Sequence, residues 1–430
     1  MQIDNHDIWL LKEGEPPALS RDSQKLRTTM LALALAEEGC NVGWFTSSFD
    51  HGSKRHLTRK DKTTIRQLAP SARVYLLPGP GYKKNLSLSR IYHQHLTAKA
   101  FTRCAAELPK PQLILAAYPT PELCEAARSY AAANNIPFIM DARDPWPDSF
   151  LESGNTVKKA LLYPLVTYYR KLLSRSAKEA ASLVSMSDRM LEWAASYSGR
   201  EISSQDKVFY LGYRFDRKEE LSALEAVTPE RFSESEPLQC IFYGMFGNLH
   251  NGEVVIRAAK ELAARGEKRV QITMAGDGIF RAKWEALAEG LKNIRFTGWL
   301  NRTEAEDVLR RSHLGFITIS GGVSKYWFGN KFFEYAAHGL AVINDTTSEL
   351  KDLIESSGIG MNVAPNDSRA IADALQSMLS RPDLLHAMRS ASLRRFKREF
   401  DSYAIYKRYA EHLMQFIRSE KLLSKKAVNF

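Results

Sequence analysis

The chain has 430 residues, 44% hydrophobic, 25% charged and 10% aromatic; these globular proportions exclude a mostly disordered or collagen-like chain, and the length suits two domains. Sixty Lys and Arg against 49 Asp and Glu leave a net charge of +11, and all of it falls in residues 51–106, where twelve bases face one acid, Asp61. Such a localised excess implies an anionic partner (nucleic acid, a phosphate-rich substrate or an acidic membrane face), while no apolar run approaches the ~18 residues needed to span a bilayer.

Short β-branched or aromatic runs alternate with helical-period segments along the chain. Strands are predicted at Ile8–Leu11, Asn41–Thr46, Val74–Leu77, Gln112–Ala116, Pro137–Asp141, Ser182–Met186 and Val208–Leu211, with helices such as Ser23–Glu38 and Thr120–Asn134 between them. This alternation predicts a parallel sheet covered on both faces. The helix predicted over Val157–Lys178 interleaves an apolar stripe with bases and reads more readily as core than as a membrane face. Residues Arg217–Glu236 are acidic and strandless, which predicts an interdomain linker.

The pattern restarts with strands at Leu238–Tyr243, Val270–Ala275, Ile294–Phe296, Leu314–Ile319, Leu340–Asn344 and Gly360–Val363. Helices are predicted near Glu253–Arg265, Phe280–Glu289, Thr303–Arg311, Lys331–Ala337 and Arg369–Ser380, and Leu384–Arg418 is long and helical. The expected organisation is α/β: a Rossmann-like domain over 1–216, a linker over 217–237, a second Rossmann-like domain over 238–398, and a helical tail over 399–430 that packs back on the first domain. Two doubly wound domains in tandem leave a cleft, lined by loops that follow strands, where ligands bind in such folds.

Gly244-Met245-Phe246-Gly247-Asn248 follows the first strand of the second domain and precedes a helix, so its backbone N–H groups can approach an anion, although a simple turn has the same appearance. Ala275–Gly278 is best explained as a tight turn. The most informative segment runs from Ser320 through Gly321, Gly322 and Tyr326 to Lys331 and Glu334. A glycine-rich loop enters a helix with a cation and a carboxylate three apart on one face. Lys331 suits phosphate charge and Glu334 a ribose diol, and a surface ion pair explains the same spacing equally well.

Lys331–Asn344 resembles the K-x-x-E-Y-x-A-x-G-x-P-V-I segment of glycosyltransferase family four, GT-B-fold and mostly retaining enzymes that use sugar nucleotides. The Gly244 loop, Ala275–Gly278, Phe296-Thr297-Gly298-Trp299-Leu300 and the Lys331 helix occur in that family's order. Asp141-Ala142-Arg143-Asp144-Pro145-Trp146-Pro147-Asp148 is similar to the D-x-R-D-x-W-P-[DE] segment of a subset acting in bacterial surface-polysaccharide synthesis, and Arg27 falls where that subset carries an arginine. Tyr326 stands where the family's first glutamate is usual, eight positions before Glu334. Met245, Asn251 and Ala341 also depart from the pattern.

The resemblance implies donor contacts at Arg27, Gly244, Gly247, Asn248, Leu300, Gly321, Gly322, Lys331 and Glu334. It implies acceptor or catalytic roles for Asp141, Arg143 and Asp144, which could orient hydroxyls or assist proton removal; a salt-bridged loop anchored by Trp146 is the other explanation. The expected activity is transfer, with retention, from a nucleotide sugar (UDP-linked by expectation) to a lipid-linked or growing surface glycan of the O-antigen or capsule kind. No cofactor is expected, and no metal, since the sequence shows no Asp-x-Asp or His/Cys cluster. Cys40, Cys104, Cys124 and Cys240 lie far apart, and Met1–Asp7 carries two acids and no base. Both features suit a cytoplasmic protein, here expected at the inner, anionic face of the cell membrane. The alternatives are a GT-B-fold sugar-nucleotide 2-epimerase, a catalytically silent GT-B subunit, and a nucleic-acid-binding protein using the basic window. Against the last, the window lacks a binding motif and an aromatic stacking platform, so no nucleic-acid partner is expected.

Overall fold

The β-branched runs become the strands of two sheets, one in each of two units: Met1–Tyr210 with Tyr403–Phe430, and Leu211–Ser402. The computed structural model describes every residue except 1–5, 21–22, 24, 86, 153–155, 216–228, 234, 322–324, 327 and 429–430.

The first unit holds an eight-stranded sheet in the order Lys207–Val208, Ser182–Ser185, Phe138–Ala142, Leu113–Tyr118, Ile8–Leu11, Val42–Ser47, Ala72–Leu77, Thr64–Ala69. All neighbours are parallel except the last pair, which is antiparallel. The central strands Ile8–Leu11, Val42–Ser47 and Leu113–Tyr118 are buried throughout, which is why they lack polar alternation. From Ile8–Leu11 the chain builds outward on one side, then returns to lay Leu113–Tyr118 on the other. At that switch point the loops after the two strands part and leave a crevice.

Two features were not anticipated. Thr64–Ala69 is an exposed edge strand, and its Arg66 and Gln67 point a polar edge at solvent, which discourages pairing with another chain. Phe49–Asp50 and Arg55–His56 form a small antiparallel hairpin. The predicted stripe on helix Thr156–Glu179 divides: Val166, Tyr169, Leu172 and Leu173 are core, whereas Val157, Leu161, Tyr163 and Tyr168 are exposed.

The second unit has six parallel strands in the order Ile294–Gly298, Val270–Ala275, Leu238–Tyr243, Leu314–Ile317, Ala341–Asn344, Gly360–Asn362. Its switch point lies between Leu238–Tyr243 and Leu314–Ile317, so the Gly244 and Ser320 loops leave from its two sides. Of the expected linker, 217–228 and 234 lie outside the described residues; Phe232 is buried in the core of the second unit against His313. The tail comprises Pro382–Arg395, a π-helical turn Phe396–Phe400, and helix Ser402–Val428. Ile405, Tyr406, Tyr409, Ala410 and Leu413 of that last helix lie in the core of the first unit.

Candidate functional site

In the second unit, two loops at the switch point are joined by backbone. Asn251 N–H donates to Thr318 O at 2.9 Å, Ser320 N–H donates to Leu249 O at 2.9 Å, and His250 bridges Ile319. Asp345, almost wholly buried, accepts from the Ile319 and Asn366 N–H groups and so fixes the end of strand Leu314–Ile317; burial raises its carboxyl to about 6. Tyr335 locks the following helix, Asn330–Ala337, against both switch strands: its hydroxyl donates to Phe316 O at 3.3 Å and accepts from Tyr243 N–H at 3.2 Å. The ring fits because residue 315 is glycine; a Cβ there would lie 2.4 Å from it.

This packing carries Lys331 inward. The lysine is 7% exposed, and its Nζ lies 4.3 Å from the centre of the Phe242 ring. Gly244, at φ +118°, makes room for it, since a Cβ there would stand 2.8 Å from Lys331 Cε. Among the described residues Lys331 has neither a hydrogen-bond acceptor nor an ion-pair partner, and the same holds for the half-buried Glu334 carboxylate. The surface ion pair that fits the i,i+3 spacing is therefore absent. Burial pulls the Lys331 amine down to about 7, with Glu334 opposing, and pushes the Glu334 carboxyl up to about 7 against Lys331 and Arg302. A buried cation without a counter-ion is costly unless an anion arrives to complete it.

Gly247 is half-buried, Asn248 exposed and Leu300 half-buried; Gly321 is exposed at φ +77°, and Gly322 lies outside the described residues. Gly276, treated above as a turn, also permits a close approach: a Cβ there would overlap Gly244 O at 1.9 Å. The loops after three successive strands leave Met245, Ile279 and Trp299 exposed at 60%, 74% and 68%. Such apolar surface at the carboxyl edge of a sheet suits a planar ligand ring.

In the first unit, Asp141 and Arg143 do not form an exposed catalytic group. Asp141 is wholly buried. Its Oδ1 accepts from Arg27 Nη2 at 3.1 Å, and its Oδ2 from Arg27 Nε at 3.1 Å and Arg143 Nε at 2.9 Å. Burial favours its neutral form, yet the two guanidiniums hold it down at about 2. Arg27 also donates to Phe209 O and Ser185 O and stacks on Tyr409, so four of its five side-chain N–H groups are engaged within the protein. Arg143 Nη1 donates to Glu15 Oε2 at 2.7 Å, and Glu15 in turn accepts from Thr28 N–H at 2.7 Å, serving as the missing N-cap of helix Arg27–Glu37. Arg27, Asp141, Arg143 and Glu15 thus form one buried, hydrogen-bonded network. Asp144, by contrast, is exposed, and the protein around it raises its carboxyl while Lys12, Arg143 and Arg90 oppose the rise.

The composition and spacing missed Lys12 and Glu13, on the loop after Ile8–Leu11, and Glu122, in the first turn of helix Pro121–Ala133, on the two sides of this unit's switch point. Glu13, 4% exposed, is paired with His93 Nε2 at 3.2 Å, and its Oε2 has no partner. Burial raises Glu122 to about 7. Charged residues directly after an apolar strand, as in Leu11-Lys12-Glu13, were the available signal. Arg90 lies 4.4 Å from the Trp146 ring centre, so part of the basic window is engaged with aromatic faces.

Residues 237–381 match the family described as Glycosyl transferases group 1. No curated protein matches the chain significantly in sequence. Sucrose-phosphate synthase from Thermosynechococcus elongatus superposes with a TM-score of 0.69 at 15% identity, over 96% of this chain and 99% of that one. Anabaena HepE in complex with UDP-glucose gives 0.62 at 14% identity, over 96% and 100%. WaaG, a glycosyltransferase involved in lipopolysaccharide biosynthesis, gives 0.59 at 15% identity, over 94% and 99%. At these identities the likeness establishes the fold, which is GT-B. Together with the family match over the second unit, it supports a glycosyltransferase of the GT-B type.

Proposed function

We propose that the protein transfers a sugar from a UDP-linked donor to a lipid-linked or growing surface glycan, with retention and without a metal or other cofactor. The observation that carries the donor reading is Lys331, a buried lysine with no partner among the described residues, beside an equally unpartnered Glu334 at the switch point. In this account the Lys331 ammonium neutralises the diphosphate as the glycosidic bond to it breaks, and Glu334 accepts hydrogen bonds from the ribose hydroxyls. The base lies against the apolar surface that includes Trp299. HepE and WaaG, the first solved with a UDP-sugar and the second acting in lipopolysaccharide synthesis, support the donor class and the kind of acceptor.

Asp144, in the first unit, orients the acceptor hydroxyl and takes up its proton, with Asp141 and Arg143 fixing the loop behind it. The acceptor reading extends to the membrane. No helix among the described residues is long and apolar enough to cross a bilayer, so attachment would be peripheral, at an anionic inner leaflet. Leu88 (83% exposed) and Tyr92 on helix Leu88–Ala106, with Leu161 (76% exposed) and Val157 on helix Thr156–Glu179, are exposed apolar groups of the kind that insert shallowly. Exposed Lys83 and Lys84 precede the first of these helices and supply charge attraction. Calorimetry with UDP tests the donor assignment. Lys331→Ala and Glu334→Ala should each weaken binding by about 1–3 kcal/mol, the scale of a lost charged hydrogen bond, and unchanged affinity in both variants would refute it.

A further inference from the structure

A cavity of about 1570 Å³ opens elsewhere in the second unit, lined by residues that the donor site does not use. One wall is the face of three adjacent strands, and it presents Gln239, Gln271, Thr273, Arg295 and Thr297. A sheet face meant to be covered by a helix carries apolar side chains. Amides, hydroxyls and a guanidinium in their place make this face suited to a polar occupant.

Among the described residues the charge around the cavity is unbalanced. Four arginines line it (Arg295, Arg310, Arg311 and Arg389) against two glutamates, Glu230 and Glu236. Arg295 donates from Nε to Thr273 Oγ1 at 2.9 Å, and Arg311 from Nε to Asp307 O at 3.2 Å; neither meets a carboxylate among the described residues. Arg310 lies 3.7 Å from Glu306, a loose pair. Arg389 is 5% exposed and rests on two carbonyls, Gly339 O at 3.1 Å and Glu230 O at 2.6 Å. It is thus a buried cation whose side-chain hydrogen bonds, among the described residues, go to carbonyls, with the Glu230 carboxylate attracting it from farther off. The cavity also reaches Ala337 and His338, at the opposite end of helix Asn330–Ala337 from Lys331.

We infer that this cavity is a second ligand site, separate from the donor site, for a phosphorylated small molecule with free hydroxyls, of the sugar-phosphate class. The exposed guanidiniums of Arg295, Arg310 and Arg311 take the phosphate, for which a planar fork of donors is well shaped. Gln239, Gln271 and Thr297 meet hydroxyls, and Arg389 supplies field from behind. The site does not depend on the donor assignment.

Glucose 6-phosphate is the probe, titrated by calorimetry into the full chain, into Arg295→Gln/Arg311→Gln, and into Lys331→Ala. Saturable one-to-one binding is expected in the unaltered protein and in Lys331→Ala, with at least a tenfold loss, about 1.4 kcal/mol, in the double arginine variant. Both arginines are exposed, so the melting temperature of that variant should be unchanged, which separates lost binding from lost fold. No saturation at millimolar probe, equal affinity in the arginine variant, or loss of binding in Lys331→Ala would each overturn the proposal. UDP binding that fails while glucose 6-phosphate still binds would count against the donor assignment alone.

Discussion

Replacing Lys331 by methionine should stabilise the protein while weakening donor binding. The amine falls from 10.5 to about 7 because burial disfavours its charge more than Glu334 favours it. At about 1.36 kcal/mol per unit, holding the proton in the folded state near pH 7 costs on the order of 4 kcal/mol. Methionine fills similar volume against Phe242 and forfeits only the cation–ring attraction, about 1 kcal/mol. The net gain should be about 2–4 kcal/mol, or roughly 5–10 °C in the melting temperature of a unit of about 200 residues. The sign of the pH dependence follows. A lysine depressed in the folded state penalises folding in full below pH 7, and the penalty shrinks as pH rises toward the unfolded value of 10.5. The advantage of Lys331→Met should therefore be largest near neutrality and fade toward pH 10. Urea denaturation at several pH values, followed by the second unit's tryptophans, reads this directly. A variant that is less stable than the parent near pH 7 would show that Lys331 is an ordinary structural residue and refute the reasoning.

Asp141→Asn should cost about 3–5 kcal/mol, because it leaves two buried guanidiniums facing a neutral group. Asp144→Asn should leave the melting temperature unchanged and lower kcat by about 100-fold or more, as expected for loss of a group that handles the acceptor proton; equal stability losses in the two variants would argue against this division of roles. Proton NMR of the earliest product should show the donor's anomeric configuration, with activity surviving EDTA; inversion, or loss of activity restored by a divalent ion, contradicts the proposed chemistry. Flotation with anionic liposomes should show binding that falls with salt and with Leu88→Ser/Leu161→Ser. Absence of binding at low salt would exclude membrane docking through these helices.

The strands and their doubly wound order were legible because buried parallel strands leave continuous apolar runs, as at Ile8–Leu11 and Leu238–Tyr243. Thr64–Ala69 was not, since an antiparallel edge strand exposed to solvent has little apolar pattern to reveal it. The Lys331–Glu334 spacing located a helical face but could not separate a surface ion pair from a buried lysine and a half-buried carboxylate held apart. That distinction comes from tertiary packing: Gly244 yields space to Lys331, and Gly315 yields space to Tyr335. The burial of Asp141 was hidden for the same reason. Two carboxylates flanking an arginine after a strand read as available chemistry, and only the return of Arg27 from 114 residues away shows both Asp141 oxygens to be occupied. Glu13 and Glu122 become neighbours through the switch-point topology, which no local spacing encodes.

A crystal structure of the protein with UDP tests the central claim most directly. The account predicts the diphosphate within hydrogen-bonding distance of Lys331 Nζ and the Gly244 loop, the ribose hydroxyls on Glu334, and the base against the apolar loops of the second unit. UDP bound elsewhere, with Lys331 still unpartnered over Phe242, would contradict it.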